Sequence, residues 1–198
     1  MWNYEKRLQY PINIKNCNPT LAAMIISQYG GPDGELGASM RYLSQRYSMP
    51  YREVAGLLTD IGTEELGHLE MGSTMVHQLT RNLTMEQIKG TPFEAYYVDH
   101  TVGVWPQAAG GVPFCAIEFQ SKGDAITDIA EDMAAEQKAR VTYDNILRLS
   151  DDPDVNDVIR FLREREIVHF QRFGEAVQLL REKLDEKNVY YMNPALIS

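Results

Sequence analysis

The chain has 198 residues and sets 19 Lys and Arg against 28 Asp and Glu, a formal charge of −9. That length is ample for one domain with a proper core, and 44% hydrophobic with 24% charged residues excludes wholesale disorder. The acidic surplus lacks the clustered Lys and Arg that nucleic acid or an anionic membrane surface requires, while leaving cations as natural partners.

In chain order, residues 1–17 form an N-terminal arm. Its MWNYEKRLQYPINIK contains no apolar segment of secretory type, and no stretch of the chain approaches the ~20 apolar residues needed to cross a bilayer. Cys17 and Cys115 stand alone, without a CxxC or a Cys–His pair, so neither a disulfide scaffold nor a zinc ribbon is expected. Reduced thiols and cytoplasmic synthesis follow from that usage.

Asn18-Pro19 starts the first helix with a cap and a proline in its first turn. LAAMIISQY continues it to a breaker, GGPDG at 30–34, after which ELGASMRYLSQRYS resumes. The second helix follows Met49-Pro50, with an apolar stripe through Val54, Leu57, Leu58, Ile61, Leu69, Met75, Val76 and Leu79. Residues 83–122 then read as a long connection, mostly loop with one short helix; a loop of that length is usually functional or contacts another chain. The third helix spans about Asp124 to Leu149, with Ile126, Ile129, Met133, Tyr143 and Leu147 in phase. SDDPD supplies a stop, a cap and a proline, and the fourth helix runs from about Val155 to Lys187. Four long helices without alternating β pattern predict a single all-α domain, 1–198, with the bundle over about 18–187. The terminal NVYYMNPALIS is too short to form another domain.

Chemistry-bearing residues lie inside the apolar stripes. In the second helix, steps of four and three from Ile61 reach Glu65 and His68; in the fourth, the same steps from Leu162 reach Glu166 and His169. Glu136 shares the stripe of Met133 and Tyr143, and Glu35 opens the resumed first helix. An acid on such a stripe is costly unless paired, protonated or bound to metal. Glu35 and Glu136, Glu65 and Glu166, and His68 and His169 are each 101 positions apart, which implies a duplicated helix pair. A lone Glu on two helices plus Glu-x-x-His on two others is the set with which a bundle interior holds two divalent metals, and its oxygen-rich character suits manganese or iron. Tyr42 lies two turns beyond Glu35 on the same face, within reach of such a cavity. Glu64, Glu70, Glu131 and Asp132 read as helix-surface or supporting residues, with Asp132 able to orient a histidine, and His77 and His100 as structural. The methionines read as core packing. No partner for the outer nitrogens of His68 and His169 is legible.

The sequence resembles the manganese catalases, a non-haem, ferritin-like family, through KRLQY at 6–10, GGPDGELGASMRYLSQ at 30–45, IGTEELGHLEMGSTM at 61–75, AEQKAR at 135–140 and FLREREIVHFQRF at 161–173. The resemblance implies that Glu35, Glu65, His68, Glu136 and His169 ligate two manganese ions, with Glu65 bridging. It implies that Glu166 is an acid/base beside them, where spacing alone had offered a sixth ligand, and that Tyr42 is a cavity tyrosine. Where some family members carry an arginine immediately before the third-helix glutamate, this sequence has Ala135. The shortness of the chain is similar to that of spore-coat members of the family, implying a place in the spore coat among other coat proteins. The family further implies hydrogen peroxide as substrate and a homo-oligomer, a hexamer of bundles. Two other readings stay open at this point. One is a di-iron ferroxidase or peroxidase, and the other a structural coat protein stabilised by its metal site.

Overall fold

A computed structural model describes residues 3–187, with side chains through residue 184. Residues 1 and 2 of the arm and the terminal NVYYMNPALIS lie outside the described residues. Asn18 caps α1 (Pro19–Gly30) by accepting from the Leu21 amide, with Pro19 in the first turn. The break that follows is tight. A Cβ on Gly31 would stand 2.5 Å from the Ser27 carbonyl oxygen, and one on Gly30 would stand 2.3 Å from the Cα of Pro106. Those glycines let the chain fold back on itself and let the long connection lie directly on the helix end. Helix α2 (Glu35–Gln45) resumes at once, so Glu35 occupies its first position.

After a short 3₁₀ turn at 46–48 comes α3 (Arg52–Thr80). The connection 83–122 holds two short helices, α4 (Met85–Ile88) and α5 (Phe93–His100), and a 3₁₀ turn at 116–119, where one short helix was expected. A reciprocal cap between Thr84 and Gln87 specifies the first of these. Tyr96 ties the segment down, its hydroxyl donating to the Gly103 carbonyl (2.6 Å) and accepting from the Trp105 amide (2.7 Å). Helix α6 (Ala125–Leu149) starts at an Asp124 cap, and Asp152 accepts from the first amides of α7 (Pro153–Lys187). Among the described residues there is no β-strand, only an isolated bridge between Gln107 and Pro113.

The helices pack as two hairpins, α1–α2 along α3 and α6 along α7, joined through α3 against α7 and α2 against α6. Their buried apolar residues separate into two clusters. One contains Leu21, Ile25, Met71, Met75, Tyr143, Val158 and Leu162; the other contains Tyr42, Leu58, Ile61, Ile129, Phe173 and Leu180. On α3, α6 and α7 the stretches between the two clusters carry the buried Glu65 and His68, Glu136, and Glu166 and His169. A polar layer is therefore sandwiched between two dry ones. It is all-α, ferritin-like architecture with its charge at mid-height.

Candidate metal centre

Six titratable side chains meet in that layer, and each is essentially inaccessible: Glu35, Glu65, His68, Glu136, Glu166 and His169. Each helix delivers its part by simple register. The chain break turns Glu35 inward, and the steps of four and three along α3 and α7 place each Glu and His one turn apart on the buried face. Glu65 stands at the centre. Its Oε2 lies 2.6 Å from His68 Nδ1 and its Oε1 lies 2.7 Å from His169 Nδ1, which is also 3.5 Å from Glu136 Oε2. Two groups of potential ligand atoms result, Glu35–Glu65–His68–Glu166 and Glu65–Glu136–His169, each with all its atoms within 4.8 Å of one another. Glu65 belongs to both.

Polar atoms left over in this layer test whether a metal pair fits. Glu136 Oε2 and Glu166 Oε1 are buried without a hydrogen-bond partner, and Glu65 Oε1 and His169 Nδ1 face each other as an ion pair without a well-aligned hydrogen bond. Buried lone pairs of that kind are costly unless a cation takes them. Four carboxyls and two imidazoles, mostly oxygen, are a donor set suited to manganese or iron. The residues fit.

The protonation pattern agrees. Burial pushes Glu166 well above the ordinary carboxyl range, with the nearby Glu35, Glu136 and Glu65 adding to it. Burial and Glu65 do the same to Glu35, and burial raises Glu136. Glu65 moves the other way: burial opposes its charge, but His169 and His68 hold it below the usual range. Burial also opposes charging of the imidazoles, yet Glu65 and its neighbours lift His68 to about 10 and His169 to about 12. Protein groups alone thus balance the layer with protons, which divalent cations would displace.

Tyrosines cross-brace the layer. The Tyr42 hydroxyl, on α2, donates to Glu136 of α6, and the Tyr143 hydroxyl, on α6, donates to Glu35 of α2. Sequence reasoning placed Tyr143 only in the core; the signal was available, because Tyr42 and Tyr143 are separated by the same 101 positions. Glu64 was also undervalued. Its Oε2 lies 3.1 Å from His169 Nε2, a hydrogen bond, and its Oε1 lies 3.6 Å from His68 Nε2, an ion-pair distance that leaves that nitrogen without a hydrogen bond. Asp132 corrects an expectation. It is neither solvated nor beside a histidine; it is fully buried, with its carboxyl raised by desolvation against the pull of Arg41. Glu70 and Glu131 are surface residues, accepting from Tyr4 and Lys138 respectively, and His100 stacks on Trp105.

A narrow cleft reaches the layer beside Tyr42, Glu136 and Glu166. Pro32, Asp33, Ala38, Arg41, Ala135 and Ala139 wall it, and its volume is about 10 Å³, room for one water-sized molecule.

The family described as "Manganese containing catalase" matches residues 1–193. Protein CotJC of Bacillus subtilis is 56% identical over 190 residues, which cover 96% of this chain and 100% of that protein. A probable manganese catalase of Clostridium acetobutylicum is 30% identical, covering 95% of this chain and 84% of its own length. Among solved structures, wild-type KatB, a manganese catalase from Anabaena, superposes with a TM-score of 0.86 at 28% identity, covering 98% of this chain and 85% of that one.

Proposed function

The chain belongs to the manganese catalase family, and we propose that its buried layer holds two manganese ions and disproportionates hydrogen peroxide to water and dioxygen. The observation that carries this reading is the pair of ligand groups sharing Glu65, with unpartnered carboxyl oxygens of Glu136 and Glu166 buried among them. Glu35, Glu65 and His68 would hold one ion and Glu65, Glu136 and His169 the other. When bound, the pair supplies a reversible two-electron change, matching the two electrons that separate peroxide from water and from dioxygen.

The remaining work falls to the side chains. Glu166 belongs to the first ligand group by distance, but burial and three neighbouring carboxyls favour its protonated form. It is therefore suited to hold a proton at a carboxyl oxygen, pass it to one peroxide oxygen as the O–O bond breaks, and take one back in the oxidising half of the cycle. The hydroxyls of Tyr42 and Tyr143 fix Glu136 and Glu35 across the bundle. The narrow cleft beside Glu166 admits only very small solutes to the layer.

The likeness to Protein CotJC over that protein's full length supports grouping the chain with the short spore-coat members, acting in the coat beside other coat proteins. A homo-oligomer is part of the same reading. The connection 83–122 exposes Val98 (78%), Val112 (63%) and Ile117 (76%), apolar surface suited to a second copy of the chain. Among the described residues no helix is long and apolar enough to cross a membrane.

The decisive experiment measures metal content of purified protein by atomic emission and then oxygen release from peroxide. Manganese near two per chain with sustained oxygen release supports the catalase. Iron in its place supports the di-iron alternative, and metal without oxygen release makes the centre a stabilising element of the bundle.

A further inference from the structure

We infer that Glu64 is the positioning residue for both histidines: its single carboxylate binds the outer nitrogen of His169 and faces that of His68, so that both Nδ1 atoms face Glu65. The inference rests on the dinuclear reading above. An imidazole ligates through one nitrogen only if its proton sits on the other, and a carboxylate behind that other nitrogen fixes both tautomer and ring angle. Glu64 supplies this to His169 by a hydrogen bond between Oε2 and Nε2 at 3.1 Å, and its Oε1 stands 3.6 Å from His68 Nε2, an ion-pair distance to a ring nitrogen that has no other partner.

Glu64 is itself locked. Arg165 Nε donates to Oε1 at 2.7 Å and Arg165 Nη2 to Oε2 at 3.2 Å, while Gln9 Nε2 from the N-terminal arm donates to Oε1 at 2.7 Å. The placement follows from the duplication. Residues 64 and 165 are 101 positions apart, so they are the same position in the two halves, and they meet directly between α3 and α7. Two glutamates there would repel, and two arginines would offer no acceptor to either histidine. Replacing one copy by arginine yields a forked ion pair and leaves one carboxylate to serve both rings.

Glu64→Gln makes this testable because an amide cannot accept on both sides. Oε1 faces two donors at 2.7 Å, so the amide oxygen takes that place and the NH₂ turns toward His169. A donor there forces His169 Nε2 to accept, moving its proton to Nδ1 and spoiling it as a ligand. Manganese(II) alone is the probe, added to metal-free protein and counted after dialysis. Wild type is expected to retain two per chain. Glu64→Gln is expected to retain one, with the hyperfine-split paramagnetic resonance of an isolated manganese(II), and to lose it only when His68→Ala is added; adding His169→Ala should change nothing.

Two coupled ions per chain in Glu64→Gln, at wild-type affinity, would overturn the inference. Wild type that binds no metal would instead overturn the dinuclear reading itself. If Glu64→Gln does not fold, Arg165→Gln keeps both acceptors but frees them to swing, and manganese affinity should drop about 10-fold or more. Unchanged affinity there would equally overturn the role.

Discussion

Tyr42 and Tyr143 show how single residues hold the charged layer together. Each reaches from its own hairpin to the lone glutamate of the other, Glu136 and Glu35, so the hydroxyls stitch α2 to α6 at the level of the site. Replacing Tyr143 by Phe would leave Glu35 buried without that donor, at a cost of about 1–3 kcal/mol. Urea unfolding of the metal-free variant should show that loss, with the fold unchanged by circular dichroism. Glu166 calls for a different measurement. Glu166→Gln preserves shape and removes the transferable proton, so metal content should stay at the wild-type level while kcat for peroxide falls about 10²-fold or more. Full turnover with full metal would remove Glu166 from proton transfer. The six residues of the buried layer were legible in sequence because burial of acids has few explanations and the constant offset tied them together. Glu64 was not, since its neighbour Glu65 claims the buried face and a helix position beside it normally points to solvent. Asp132 was misread for a similar reason: nothing in its spacing marks that α2 brings Arg41 against it.

The elements divide into what periodicity specifies and what it leaves open. Helices α3, α6 and α7 begin and end within about two residues of their expected limits, because caps, prolines and long apolar stripes act together. The connection was less legible. Its short helix α4 buries Ile88 and α5 buries Phe93 and Tyr96, too few to build a periodic pattern. Its position depends instead on a long-range contact with the end of α1. There the backbone of Pro106 lies where a side chain at Gly30 would be, so the glycine that breaks the helix also seats the connection. Gly30→Ala places a Cβ 2.3 Å from Pro106 Cα and cannot be relieved by moving a flexible side chain. The substitution should cost about 1–3 kcal/mol. Calorimetry would record it as a lower Tm, and hydrogen exchange should show faster opening of residues 83–122 than of α6 or α7. Uniform protection would mean that the connection is held by other contacts.

For the whole molecule, the formal charge of −9 divides between surface and interior. Four glutamates of the layer are buried, and without metal they are matched by protons rather than by lysine or arginine. Groups whose pKa rises on folding stabilise the fold below their unfolded value and lose that contribution as pH climbs toward the folded one. For His68 and His169 the interval runs from 6.5 up to about 10 and about 12, and for Glu35 and Glu166 it starts at 4.5. The metal-free chain should therefore weaken steadily as pH rises above neutrality. Manganese moves with the opposite sign, because it binds the deprotonated ligands and competes with the same protons, so its affinity rises with pH. Bound to the folded chain alone, it adds stability as the logarithm of one plus the ratio of free metal to its Kd. The difference in Tm between manganese-loaded and metal-free protein should accordingly widen between about pH 6 and pH 9 at fixed free metal. A difference that stays flat across that range would show that manganese displaces no protons from the layer, and so binds elsewhere than among these six side chains.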